Sequence, residues 1–501
     1  MKHKFQKLGA QKRLLWVANI IFAIVMTVIV FCALFGGASE IARHNFFAEL
    51  IVALGFLAAI IFGYRKLIPK IERWSKRRML ILELLWFALI TGIVVYFSMK
   101  LAVTHFAWDP MMVRIGVDDL LAGGNLDNYY FNWYPYQRSL VYFLFPFVKI
   151  VRMLGLNINT HDVLMFVNAA AVVLTIVFAY LAIRTWLGRE RALFWLLLAP
   201  ILLLPLLLYT PIYYTDTLSA VFVAFSFFLL MKLYKGCKHA RIVALLLGLA
   251  CFFGMQVKAT AIILVIAAAI VLFLKLKYEM IPRYLATATI VILAFVPLTL
   301  AWNSFRDGQS SHPETAVPLA HYIAMGLKGD GGFNGEDAED AAHVIAEGGD
   351  IKAFETNKIK ERLADYGVGG YLAFASRKIS YTWGDGEYYA PNKLSRNPSH
   401  PGSAIAGFVY GGKQDMLAFF LGAVHLAMLL LFVYAGWRTL KDFDPVISIL
   451  KLCLIGVFIF FLVWEARSRY LLNFLPLFTI LEFGLLRLQE PKPKIHRYRA
   501  K

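Results

Sequence analysis

The chain has 501 residues, 60% of them hydrophobic and 17% charged, with a formal net charge of +19. That composition, with a mean hydropathy of +0.64 and long uncharged runs, excludes a water-soluble globular domain and predicts an all-α polytopic membrane protein. The basic excess does not imply nucleic acid as a partner, because Lys and Arg of such proteins gather on the cytoplasmic side of the membrane. Cys32, Cys237, Cys251 and Cys453 all lie outside the long polar loops, so neither a disulfide framework nor a metal-ligand spacing is expected.

The basic N-terminus MKHKFQKLGAQKRLLW leads into a first span, Leu14–Phe35, too long for the apolar core of a signal peptide. It is expected to stay uncleaved, with the N-terminus inside. A Gly-Gly turn precedes the second span, Phe46–Gly63, and the loop Tyr64–Arg78 carries seven Lys/Arg, a cytoplasmic signature. The third span, Met79–Leu101, delivers the stretch His105–His161 to the outer face. There Asp109, Asp118, Asp119, Asp127 and Asp162 lie close in sequence, and seven aromatic residues crowd Tyr129 to Tyr142. Tyr136–Leu154, with Pro146 in the middle and Lys149 and Arg152 near one end, reads as an amphipathic helix at the outer surface. The alternative, a short true span, would invert everything downstream, and the loop charges argue against it.

Further spans follow at Asp162–Ile183, Leu193–Tyr209, Leu218–Leu233, Val243–Met255, Ala259–Leu274 and Tyr284–Asn303. Their inner connections are locally basic: Arg184 to Arg191, Lys232–Arg241, and Lys275, Lys277 and Arg283. Arg306–Gln414 is the one long polar segment and predicts a small extracytoplasmic domain or a structured insertion, with FETNKIKERLADYG as a helix stopped by glycine. Met416–Trp437, Ile447–Trp464 and Tyr470–Leu488 complete about twelve transmembrane helices. Residues 1–303 then hold nine spans and the outer loop 102–161, residues 304–415 the outer domain, residues 416–488 three spans, and 489–501 a basic inner tail.

The chemistry-bearing candidates fall on one predicted side. Asp109, within Trp-Asp-Pro just past a span end, sits at the headgroup plane, where a carboxylate can act as a base toward a lipid-linked polar group. It equally suits a helix start with Pro110 in the first turn. Asp118 and Asp119 are a second base, a metal ligand or a solvated helix face. Asp216, in YYTDT, is another isolated acid at that level or a helix cap. Lys258, a lone cation between two apolar helices, either snorkels to headgroups or binds a lipid phosphate. Glu465, Arg467, Arg469 and Tyr470 form the densest charged cluster at an outer span end: either an ordinary interfacial anchor or a phosphate site, which two arginines suit because their planar forks donate paired hydrogen bonds. In ISYTWGDGEYYAPN, Gly384 and Gly386 predict a tight turn, and Trp383, Tyr388 and Tyr389 either stack on a sugar or are the surface aromatics of an ordinary turn. The sequence lacks GxxxxGK[ST], HExxH and CxxC, so no nucleotide loop, zinc protease pair or thiol redox motif is present.

WDPMMVRIGVDDLLAGG, YPYQRSLVYFLFPFVKIVRMLG, DVLMFVNAAAVVLTIVFAYLAIRTWLG, GLACFFGMQVKATAIILVIA and EARSRYLLNFLPLF follow one another in a layout that resembles the C-type membrane glycosyltransferase superfamily. That superfamily includes protein O-mannosyltransferases and the aminoarabinose transferase of lipid A. The resemblance covers the layout of most of the chain and only short stretches of residues. It departs from the family in an extra hairpin of two spans before the usual first one, and in a single Pro135 where relatives carry a double proline. It implies an inverting glycosyltransferase with a polyprenyl-phosphate-linked sugar as donor and an extracytoplasmic glycan, lipid or protein as acceptor. The catalytic acid carries over to Asp109, with Asp118 and Asp119 as the competing match. Lys258, Arg467, Arg469 and Tyr470 would hold the donor's lipid phosphate, while Asp216, Glu465, Trp383 and Tyr388 are further site candidates. No cofactor is assigned beyond the option of a divalent cation, Mg or Mn. Membrane lipids are the other expected partners. The absence of an Asn-X-Ser/Thr acceptor in the outer loops favours a bacterial plasma membrane, with both termini cytoplasmic. Alternatives are a transporter or flippase for a lipid-linked saccharide, a surface polysaccharide polymerase or ligase, and a non-enzymatic assembly scaffold.

Overall fold

A computed structural model describes residues 9–43, 45–106, 108–275, 281–488 and 490. The basic segment 1–8, Lys277 and the tail 491–501 lie outside the described residues. The helices, in order, are α1 (Ala10–Phe35), α2 (Glu40–Arg43), α3 (Phe46–Ile71), α4 (Lys76–Lys100), α5 (Asp109–Leu121), α6 (Tyr129–Trp133), α7 (Gln137–Met153), α8 (Thr160–Leu187), α9 (Arg189–Leu202), α10 (Leu204–Leu208) and α11 (Thr215–Lys235). They continue as α12 (Ala240–Val257), α13 (Ile263–Lys275), α14 (Ile281–Asp307), α15 (Leu319–Met325), α16 (Gly335–Ala346), α17 (Ile351–Trp383), α18 (Ala390–Leu394), α19 (Ala404–Val409), α20 (Gln414–Arg438), α21 (Pro445–Val463) and α22 (Leu475–Leu488). No β-strand occurs among the described residues beyond one isolated bridge, Val103 with Pro398.

Local chemistry fixes the helix starts. Asn45, Ser75, Asn159 and Asp444 each turn a side-chain oxygen onto a free amide of the first turn of α3, α4, α8 and α21. Nine helices among the described residues are long and apolar enough to cross a membrane: α1, α3, α4, α8, α11, α12, α14, α20 and α21. The other three expected spans are shorter and interrupted. The fifth breaks at Leu203 between α9 and α10. The eighth begins with a 3-10 turn at Ala259–Ile262 before α13, and the twelfth with one at Ser468–Leu471 before α22. The fifth still connects the two ends of the bundle. Arg189 at the start of α9 pairs with Glu83 at 2.6 Å, whereas Tyr209 just past α10 bonds at the opposite end to the Tyr388 carbonyl, 2.7 Å away.

α8, α11, α20, α21 and α22 supply the buried centre, while α3, α4 and α14 expose most of their apolar surface, as lipid-facing helices do. Close contacts run through small residues: Gly248 of α12 lies against Ala294 and Val291 of α14, and Gly436 of α20 against Ala23 of α1. α7 is amphipathic. Leu140, Val141, Leu144 and Val148 are buried and Phe147, Ile150 and Met153 exposed. Residues on both sides of it bond at one end of the bundle, Gln137 to Tyr214 and Thr160 to Asp118. This fits the surface-helix expectation rather than a span.

Residues 304–415 cap that same end. The Glu465 amide donates to the Tyr322 carbonyl at 3.0 Å, Ala466 to Gly331 at 2.9 Å, and Val317 to Trp133 at 2.9 Å. The helix expected to stop at Gly367 instead kinks there (φ 52°, ψ −169°), a backbone state glycine adopts without strain. It resumes to pack Phe374, Ile379 and Trp383 into the bundle end.

Candidate functional site

At the capped end, Asp109 is the first residue of α5, with Pro110 in the first turn and Trp108 in the capping position. An acid there is favoured by the free amides and dipole of the helix start. Its carboxylate accepts from Tyr130 Oη at 3.0 Å and from Tyr214 Oη at 2.7 Å. Tyr214 also receives a hydrogen bond from Gln137 Nε2 at 2.7 Å. One acid is thus held by residues of α5, α6 and the entrance to α11.

A cation group lies beside it. Asp216, 2% exposed in the first turn of α11, accepts from Lys258 Nζ and lies 3.3 Å from Arg469 Nη1. The Arg469 guanidinium also lies 5.0 Å from the centre of the Trp108 ring and 5.6 Å from that of Tyr214. Those two rings connect the Asp109 carboxylate to the Asp216 cluster. Tyr470 places its ring 4.6 Å from Lys258 Nζ and donates to Glu465 Oε1 at 2.8 Å. Arg467 stacks on Tyr389 at 4.6 Å. The Nε atoms of Arg467 and Arg469 and the Trp108 indole nitrogen are buried without a hydrogen-bond partner among the described residues.

Sequence reasoning missed Lys393. It is 6% exposed, and its ammonium sits 3.8 Å from the Trp108 ring and 5.7 Å from Tyr389, with no carboxylate in ion-pair range among the described residues. Burial, then Arg469, Arg396 and Arg467, push its pKa down to about 6, against a weaker pull from Asp109. Asp385, also missed, holds this side of the site. Asp385 accepts from the Glu387 and Tyr389 amides, both at 2.8 Å, and from Ser468 Oγ at 2.6 Å. The only sequence signal for either was their place in GDGEYYAPNK, a run of acids, aromatics and a lysine directly after the predicted turn.

The candidates divide accordingly. Asp109, Asp216, Lys258, Glu465, Arg467, Arg469 and Tyr470 converge. Asp118 and Asp119 do not: they sit more than two turns along α5, some 13 Å from Asp109 at the rise of an α-helix. Asp118 is spent on Arg114 and Thr160, at 2.9 and 2.5 Å, which ties α5 to α8. Trp383 and Tyr388 are corrected, since both are buried. Trp383 stacks on Phe478 at 5.9 Å, and the Tyr388 hydroxyl bonds His425 at 3.0 Å. The last turns of α17 enter the bundle, so these rings are closed to a sugar. Of that stretch, Tyr389 and Tyr381 turn their rings to Arg467, at 4.6 and 6.0 Å. Lys258 and Arg469 already share the Asp216 carboxylate, which leaves Arg467 and Lys393 as the cations of this cluster without an acid partner among the described residues. No three His, Cys, Asp or Glu side chains among the described residues are grouped to hold a metal ion.

A family model described as "Conserved hypothetical integral membrane protein" matches residues 11–487. The chain belongs to this family. It is therefore an integral membrane protein, as the apolar helices require. Neither a curated protein nor a solved structure matches it.

Proposed function

We propose that this integral membrane protein is a glycosyltransferase that moves a sugar from a polyprenyl-phosphate donor to an acceptor hydroxyl at the capped end of the bundle. The supporting observation is convergence: Trp108 and Tyr214 join the Asp109 carboxylate to Arg469, drawing together three segments distant in the chain. The acceptor oxygen attacks the anomeric carbon and its proton passes to Asp109. The bond from that carbon to the phosphate oxygen breaks with inversion, and the electron pair leaves on the polyprenyl phosphate. Arg467 and Lys393 hold that phosphate, while Asp216 fixes Lys258 and Arg469 around it. Membrane lipids surround the bundle, and the donor tail reaches the site from the bilayer. The twelve passages, with the capped end outside and both termini inside a bacterial plasma membrane, are part of the same proposal.

The test is transfer of labelled sugar from a polyprenyl-phosphate donor by purified protein in lipid. Asp109→Asn should lose on the order of 100-fold or more in turnover while keeping the parent's melting temperature. Full activity in the folded variant removes Asp109 from the mechanism. One observation favours the transporter reading: three expected spans are interrupted, two of them beside the site, at Ala259 and Ser468, a habit of transporters. In those, however, the breaks lie near the bilayer midplane, and here the breaks at Ala259 and Ser468 lie at one end. Movement of labelled lipid-linked sugar across a vesicle membrane without release of polyprenyl phosphate would decide for transport.

A further inference from the structure

We infer that Asp385 and Ser468 form a clasp that sets the spacing between the two turns carrying the unpaired cations, making Asp385 a positioning residue. The identity of the ligand rests on the function proposed above; the clasp rests on geometry alone. The first turn, residues 384–389, reverses the chain between α17 and α18. Tyr388 and Tyr389 both take left-handed backbone angles, φ 52° and 63°, which aromatic residues rarely adopt and which persist only when the surroundings over-determine them. The surroundings here are specific. Asp385 Oδ1 accepts from the Glu387 amide and Oδ2 from the Tyr389 amide. Tyr209 donates its hydroxyl to the Tyr388 carbonyl. His425 Nε2 faces the Trp383 carbonyl at 2.8 Å, so that nitrogen carries the hydrogen and Nδ1 accepts from the Tyr388 hydroxyl. Gly386 leaves no room for movement toward α20, since a Cβ there would meet the Leu421 carbonyl oxygen at 2.4 Å.

These contacts fix the first turn by themselves. The bond from Ser468 Oγ to Asp385 Oδ2 does something else: it crosses 83 residues to the second turn, and Ser468 stands between Arg467 and Arg469. The Arg467–Tyr389 contact depends on this spacing, since Arg467 comes from the second turn and Tyr389 from the first. Lys393, four residues past Tyr389 in α18, is carried on the same side as that ring. Asp385 is buried with a donor on each side of Oδ2. An asparagine amide at Oδ2 would face the Tyr389 N–H, which cannot reverse its role.

The experiment compares the full-length parent, Ser468→Ala, Ser468→Thr and Asp385→Asn in lipid nanodiscs. Amide hydrogen exchange is read on peptides covering 384–394 and 464–472, and n-decyl phosphate is the binding probe. Ser468→Ala should remain folded with a melting temperature only a few degrees lower, yet speed exchange in both peptides together. It should weaken decyl phosphate by about tenfold or more, the scale of one buried hydrogen bond to a charged group. Ser468→Thr, which keeps the hydroxyl, should restore both, and Asp385→Asn should exceed Ser468→Ala in both. Unchanged exchange in 384–394 for Ser468→Ala, or a threonine variant as impaired as the alanine one, overturns the clasp. If the parent does not bind decyl phosphate, the proposed phosphate pocket falls, and the exchange data still decide the clasp.

Discussion

Lys393 shows what a sequence withholds at the scale of single residues. Asp109 was legible because an acid directly after a span and before proline has few places to go. Asp216, Lys258 and Arg469 were each visible as charges at span ends, but their mutual neutralisation joins residues up to 253 apart and has no local signature. Lys393 looked like an ordinary loop lysine, and only the packing of Trp108 and Tyr389 shows that it is buried among arginines. That placement has a consequence for pH. The folded pKa, about 6, is depressed below that of a free lysine. The folded state therefore binds fewer protons than the unfolded chain between about pH 6 and the free-lysine value near 10.4, and the stability linked to this group is lost as pH falls through that window. An anion seated against Arg467 favours the charged ammonium, so binding takes up a proton. Affinity for decyl sulfonate, whose own charge does not titrate, should weaken as pH rises above about 6, by at most about tenfold per unit. Lys393→Met should bind weakly with a flat profile. A flat profile in the parent would show that Lys393 does not face the anion.

Among the elements, apolar run length located the nine long apolar helices, and the amphipathic pattern of α7 matches its buried and exposed faces. Hydropathy could not show that the fifth, eighth and twelfth passages are interrupted. A 3-10 turn or a broken helix costs no apolar residues, and only its tertiary partners reveal it. Backbone irregularity in a membrane protein is tolerated where it is buried in protein or lines a cavity: Leu203 is fully buried, and the breaks at Ala259 and Ser468 meet the capped end. Helix-to-helix approach was equally hidden. α14 exposes most of its surface to lipid and is seated on α12 through Gly248, where a Cβ would stand 2.5 Å from the Ala294 Cβ and 2.8 Å from the Val291 carbonyl oxygen. Its other anchor is Trp302, whose indole donates to Ser139 of α7 at 2.9 Å. Gly248→Val should push α14 outward and cost about 1–3 kcal/mol, read as a lower melting temperature in lipid. Adding Ala294→Gly should recover part of the loss, because it removes the nearest opposing atom. No recovery would mean that the cost arises elsewhere.

For the whole molecule, the decisive property is the side of the membrane on which the capped end lies. The turn between α11 and α12, at the other end, carries Lys232, Lys235, Lys238 and Arg241, the bias of cytoplasmic loops. It also holds a natural reporter. Cys237 is half-buried there, whereas Cys32, Cys251 and Cys453 are buried in the bundle. At the capped end His400 is exposed, one residue after Ser399, whose amide bonds the Ala102 carbonyl at 2.8 Å and latches the chain beside Asp109. In intact cells a membrane-impermeant maleimide should label His400→Cys in a Cys237→Ser background. It should reach Cys237 of the parent only after the membrane is opened. The opposite pattern would place Asp109 and the unpaired cations in the cytoplasm, where soluble nucleotide sugars are at hand, and a polyprenyl-phosphate donor would lose its reason. The same labelling tests the eighth passage, the interrupted one that lies between these positions. α12, the segment of α13 and α14 separate residues 237 and 400, so if the α13 segment failed to cross, the two positions would share a side.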